Sequence, residues 1–252
     1  MSFLTLSFTV AFVALAIALS MWMKLGLQRD MIISAARATI QLLVVGYVLN
    51  VVFKLHDPIF IVLMLALMVG VATQNATKRG KGLKGVWWRV LVAICTTEVV
   101  TQGFLLSLHI IHATPRYIIP VSGMIIGNSM IACGLALNRL QSEARNHRHE
   151  ILTVLSLGGT PKQSAMPFVK QAVRASMLPT IDSTKTIGLV QLPGMMTGLI
   201  IGGADPIQAV RYQLLIVFSI LASAALTSIV LAFLTYPCLF NEYEQLVVQQ
   251  SA

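Results

Sequence analysis

Acidic side chains are scarce in this chain. Nine Asp and Glu stand against eighteen Lys and Arg, and charged residues make up only 11% of the 252 positions, too little polar cover for a soluble globular domain. Cysteine is scarcer still. Cys95, Cys133 and Cys238 each lie within or at the end of an apolar stretch and form no CxxC pair, so they read as small packing residues, not as a disulfide frame or zinc site. No Gly-x-x-x-x-Gly-Lys-Ser/Thr run occurs. Gly80, Lys81 and Gly82 come nearest but lack the hydroxyl and a preceding strand, so the chain has no phosphate-cradling loop of its own. There is also no HExxH, no nucleophile beside a base and no aspartate-rich loop, which leaves a membrane-embedded enzyme without support.

What the chain has in quantity is apolar sequence, 56% of all residues. That composition predicts an all-α polytopic membrane protein, one transmembrane domain over 1–252, with about seven helices of about 20 residues and lipid as solvent. The expected spans are Phe3–Met23, Met31–Phe53, Ile59–Ala76, Val90–Ile111, a fifth from Tyr117 past Asn138, Ile187–Gly203 and Val210–Tyr236. The N-terminus opens apolar with no basic n-region or clear cleavage site, so the first span reads as a retained helix. The sixth is short and interrupted by Pro193, Gly194, Gly198, Gly202 and Gly203, which predicts a kinked or broken helix.

The net charge is +9, yet the cations cluster between apolar runs, so positive-inside topology explains them and nucleic-acid binding is not expected. Lys78, Arg79, Lys81, Lys84 and Arg89, interleaved with Gly80, Gly82 and Gly85, read as a cytoplasmic loop. With seven spans this places the N-terminus outside and the C-terminus inside.

Few polar residues lie inside the spans. Arg37 and Gln41 share a face near the start of the second. Glu98 is the one acid deep in an apolar span, accompanied by Thr96, Thr97, Thr101 and Gln102. An ionisable group there costs at least ~2.5 kcal/mol on insertion scales, so it faces the bundle interior, either as part of a pathway or as a protonated carboxyl bonded within the bundle. His109 and His112, at i, i+3, would bind metal with a further carboxylate or thioether, but two histidines at a helix end are more often interfacial. Met124, Met130, Met195 and Met196 suit a soft metal or an adaptable apolar lining equally, packing being the simpler reading. Gly123 with Gly127, and Gly194 with Gly198, have the small-xxx-small spacing of close helix packing, within one chain or between two. Glu98, Thr101, Gln102, Asn128, Met195 and Met196 form the candidate translocation pathway.

Residues 139–185 are too polar and basic to span, and read as a cytoplasmic helical extension and loop. Gly158, Gly159, Thr160 and Pro161 predict a turn between two helices. Leu178, Pro179 and Thr180 predict a second break, and apolar character returns from Lys185 to Gly203. Asp182 and Lys185, at i, i+3, are placed to pair.

Four stretches carry a resemblance: RATIQLLVVGYVL from Arg37, GMIIGNSMIACGL from Gly123, LGGTPKQS from Leu157 and PTIDSTKTIGLVQLPGMMTGLI from Pro179. They resemble the FetB-type permeases, bacterial proteins implicated in iron export and related to plant aluminium-tolerance half-transporters, over nearly the whole chain. The turn and the later Leu-Pro are also loosely similar to the coupling loop of ATP-binding-cassette (ABC) permeases. The resemblance implies a homodimeric or paired permease bound to a separate ATPase subunit, which would hold ATP and Mg, with iron or another metal as cargo. It implies a coupling role for Leu157, Gly158, Gly159, Thr160, Pro161, Lys162, Gln163 and Ser164. On this reading the helix-turn from Glu150 to Ser164 enters a groove on the ATPase, with Lys162 and Arg174 meeting acids there. The rival is a gradient-driven secondary transporter or channel, with Glu98 as its cation or proton site and the broken sixth span as binding element.

Overall fold

The computed structural model describes residues 10–55, 58–80, 83 and 85–247. The chain divides into two compact units, Met1–Asp57 and Pro58–Ala252. Among the described residues all regular structure is helical, with two isolated bridge pairs, and five helices are long and apolar enough to cross a membrane. The protein is a polytopic all-α membrane protein.

In the first unit, α1 (Val10–Trp22) and α2 (Gln28–Leu55) are joined by a turn in which Lys24 and Gly26 take φ of 53° and 71°. Residues 3–9 of the expected first span lie outside the described residues. The second span begins slightly earlier than expected, and Arg37 and Gln41 are both exposed on it.

The second unit holds α3 (Pro58–Thr77), α4 (Val86–Ser107), α5 (Pro115–Asn146), α6 (Arg148–Ser156), α7 (Pro161–Thr186), α8 (Gly194–Ile201) and α9 (Pro206–Thr235), which ends in a 3-10 turn, Tyr236–Leu239. The long helix α5 is its axis, touching α3, α4, α7 and α9. Val69, Val90, Ile94, Ile126 and Leu137 close a core among α3, α4 and α5. A second core gathers Leu140, Ile151, Phe168, Val169 and Leu239 where α5, α6 and α7 meet the end of the chain.

Two expectations are corrected. Arg89 belongs to α4, which starts at Val86 behind Gly85 in the left-handed region, φ 65°; Lys81, Gly82 and Lys84 of that loop lie outside the described residues. The break expected at Leu178, Pro179 and Thr180 does not occur. Helix α7 runs unbroken through Pro167 and Pro179, each of which removes one backbone hydrogen bond; around Pro167 the buried Ser164, Phe168, Val169 and Ala172 fix it against its neighbours, whereas the turns after Pro179 carry no buried residue.

The sixth expected span is interrupted, as its proline and glycines predict. Only Gly194–Ile201 of Ile187–Gly203 is helical. Residues 187–193 form an irregular link in which Gly188 has φ 90° and Ile187 bridges to Gln191, since Pro193 denies an N–H and α8 can begin only after it. Helix α7 is antiparallel to α9: Ser176 donates to Ser228 at 3.0 Å, while Phe168 and Val169, earlier in α7, share a core with Ala232 and Leu239, later in the chain. The link therefore follows a helix already climbing back along α9, and α8 continues beside α9.

Candidate functional site

Two places in the second unit combine geometry with chemistry. The first is a buried polar cluster. Along α4, Thr97, Glu98, Thr101 and Gln102 are all buried, Glu98 to 7% exposure and Gln102 to 6%. The threonines are satisfied locally: Thr97 donates to the Ala93 carbonyl at 2.9 Å and Thr101 to the Thr97 carbonyl at 2.6 Å. The Thr97 hydroxyl also lies 2.9 Å from that of Thr227 on α9, which donates to Ser129 on α5 at 3.0 Å. Asn128 Nδ2 donates to the Ile220 carbonyl at 3.2 Å and to Ser223 Oγ at 3.4 Å. These short side chains pin three spans together, as polar residues do in lipid.

Glu98 and Gln102 differ. They sit one turn apart on the same face of α4. Among the described residues neither carboxylate oxygen of Glu98 has a hydrogen-bond partner, and neither do the amide oxygen and nitrogen of Gln102. The Ser122 hydroxyl of α5 approaches the carboxylate, yet it too is left without a bond of good geometry. Buried polar atoms are normally satisfied, and here a carboxylate, an amide and a hydroxyl leave several donors and acceptors open together. The arrangement can take a proton, a cation or water through hard oxygen ligands. Thr101, on the next turn, also lines an apolar groove of about 420 Å³ between α4 and α9.

The second place is an exposed elbow between α6 and α7. Gly159 N–H donates to the Val154 carbonyl at 2.9 Å and Gly158 N–H to that of Leu155 at 3.0 Å, a Schellman ending with Gly158 at φ 85°. A Cβ on Gly159 would lie 2.5 Å from Val154 Cγ1 and 2.8 Å from the Val154 carbonyl oxygen, so the close approach requires glycine. The next helix opens at once. Thr160 Oγ1 accepts from Gln163 N–H, Gln163 Oε1 accepts from Thr160 N–H, and Pro161 fills the first helical position, a full capping box. Leu157 stands out at 83% exposure, with Lys162 and Gln163 exposed beside it. The turn is thus rigid, while its apolar tip has no partner among the described residues.

Glu150 lies in the first turn of α6 and its carboxylate lies 2.9 Å from His147 Nδ1, while Glu143 lies 3.5 Å from His147 Nε2. The His147 ring stacks on Phe168 of α7, centroids 4.5 Å apart. One imidazole thus joins α5, α6 and α7, which the sequence did not single out. Nor did it single out the chain end. Asn241 Oδ1 accepts from the Tyr243 and Gln245 amides, Phe240 bridges to Leu246, and Tyr243, Glu244 and Gln245 face Gly158 and Gly159 across a cleft of about 470 Å³. No motif marks these residues.

The remaining candidates disperse. Met195 on α8 and Met124 on α5 pack on the core of Leu105, Ile111, Val121, Ile125 and Ile216; Met196 is half-buried. His109 follows the end of α4 with φ 53°, and His112 meets the Tyr117 ring at 5.7 Å. Among the described residues no third His, Cys, Asp or Glu joins them. Gly123 approaches Met68 within the chain, whereas Gly194 and Gly198 face open space. Asp182 and Lys185 pair at 3.0 Å as expected. Arg174 lies about 18 Å along α7 from Lys162, at 1.5 Å per residue.

No solved structure matches this chain. Curated sequences do. It is 56% identical over 246 residues to "UPF0014 membrane protein YjkA" of Bacillus subtilis, covering 98% of each chain. It is 39% identical to "Probable iron export permease protein FetB" of Escherichia coli, covering 98% of this chain and 95% of that one. It is 35% identical to "Protein ALUMINUM SENSITIVE 3" of Arabidopsis thaliana, covering 93% and 86%. Residues 3–240 match the family described as "Uncharacterised protein family (UPF0014)", so the buried polar cluster and the capped elbow are features of a chain that belongs to UPF0014.

Proposed function

We propose that this chain is the permease subunit of an ATP-driven ABC transporter of the cytoplasmic membrane, working as a homodimer and exporting iron or a related metal. Hydrolysis falls to a separate ATPase subunit, which holds ATP and Mg. The observation that carries the reading is the elbow: an exposed Leu157 on a turn made stiff by a Schellman ending and a capping box. A stiff apolar tip suits insertion into a groove on a partner that must push, because a flexible one would absorb the displacement. The cations around it, Arg139, Arg145, Arg148 and Lys162, support a cytoplasmic placement, which sets the N-terminus outside and the C-terminus inside. The metal cargo rests on the printed name of the Escherichia coli relative.

The test is to purify the full chain from native membranes and identify what stays bound. The reading expects an ATPase chain with a phosphate-cradling loop, lost on Leu157→Asp, and metal flux that requires ATP. The second reading, a gradient-driven transporter, is favoured by the unpartnered Glu98 and Gln102. It expects flux in vesicles that contain this chain alone.

A further inference from the structure

On the flank of α7, between it and the last turns of α9, runs a groove of about 410 Å³ whose walls are apolar: Met177 and Ile181 from α7, Ile229 and Phe233 from α9. Two cations lie at one end, Lys170 and Arg174, one helical turn apart on a single face. Neither has an acidic partner among the described residues, and the one acid of α7, Asp182, is taken by Lys185.

The depth of the groove is fixed by α9. Its 30 residues rise about 45 Å, the thickness of a bilayer with its headgroup layers, so Ile229 and Phe233 in its last two turns lie where hydrocarbon gives way to headgroups. Because α7 is antiparallel, Lys170 and Arg174 reach the headgroup level while Met177 and Ile181 lie deeper. From Lys170 to Ile181 the groove is about 16 Å long, close to the reach of one acyl chain.

We propose that this groove binds an anionic phospholipid, its phosphate held by Lys170 and Arg174 and one acyl chain lying along Met177, Ile181 and Ile229. Charge selects this occupant over a second copy of the chain. A two-fold contact through the same face would bring each Lys170 and Arg174 near its own equivalents with no acid to offset them. An anionic headgroup supplies the missing charge, and basic recesses beside spanning helices are built for it.

The test uses the full-length protein in detergent, titrated with phosphatidylglycerol or phosphatidylcholine and read by native mass spectrometry. Phosphatidylglycerol should be retained roughly 30-fold better, since each of the two cations near an anionic headgroup is worth about fivefold. Lys170→Gln with Arg174→Gln should bring the two lipids level, and Lys170→Arg should keep the preference. Ile229→Trp fills the groove with both cations intact and should lower retention of both lipids, so it reports even if the double variant fails to fold. Equal retention of the two lipids by the unaltered protein overturns the proposal. So does displacement of bound lipid by excess inorganic phosphate, or a Met177→Cys chain that links to a second copy by disulfide in the intact membrane.

Discussion

The hydroxyl of Ser176 donates to that of Ser228 at 3.0 Å, both side chains buried, and this bond joins the helix leaving the elbow to the last spanning helix beside their shared apolar core. Ser228→Ala should cost only about 0.6 kcal/mol, the usual value for such bonds inside membrane bundles. Ser228→Leu, which has no room, should cost about 1–3 kcal/mol. Unfolding in mixed micelles checks both, and equal effects would show that the contact is not close-packed.

At the elbow, two glycines should differ in kind. Gly158→Ala places a Cβ in the left-handed region, φ 85°, at about 1–2 kcal/mol, with the turn kept. Gly159→Val collides with the Val154 carbonyl and must move the turn itself. Transport coupled to ATP should survive the first and fail in the second, with membrane insertion intact in both. If Gly159→Val transports normally, the elbow is not the docking element.

Thr160→Ala removes half of the capping box and should destabilise the start of α7 by about 1 kcal/mol. Hydrogen exchange at Lys162 and Gln163 should rise while that at Ser176 stays low.

Glu98→Gln keeps the shape and removes the ionisable group from a place where, among the described residues, its oxygens make no hydrogen bond of good geometry. Folding stability should hold or rise. If Glu98 belongs to the pathway, transport falls at least about tenfold, or 1.4 kcal/mol. Unchanged transport would make Glu98 a packing residue.

Ending the chain after Phe240 removes Leu246 from the core below the elbow. Burial of one such side chain is worth about 1.5–3 kcal/mol. The shortened protein should melt earlier and exchange faster around Leu155 and Gly158; an unchanged melt would show that the chain end does not support the turn.

The sequence was most legible where a single physical signal acts alone. Long uncharged runs such as Pro58–Thr77 announce a spanning helix, and the pair of glycines before Thr160 and Pro161 announces a turn, because no other residues make those backbone shapes easily. Glu98 stood out for the same reason, an acid among apolar neighbours. It was least legible where a local preference does not decide the outcome. Pro179 reads as a stop, but a proline removes one backbone hydrogen bond and the helix runs on to Thr186, although its buried residues end at Ser176. The His147 stack on Phe168 and the packing of Leu246 with Leu140 and Ile151 were hidden because they join residues distant in sequence that carry no motif. The lack of a third ligand beside His109 and His112 is likewise a matter of three-dimensional neighbours that spacing does not encode.

Helix α7 begins at the elbow and finishes at the irregular link after Thr186, 26 residues or about 39 Å away. It is one continuous helix over that length, with Pro167 and Pro179 as the two places in it that lack a backbone hydrogen bond. Under the proposed coupling, a push on Thr160 would run along this helix, shared with the α9 it packs against, and reach the irregular stretch from Ile187 to Pro193 at its far end.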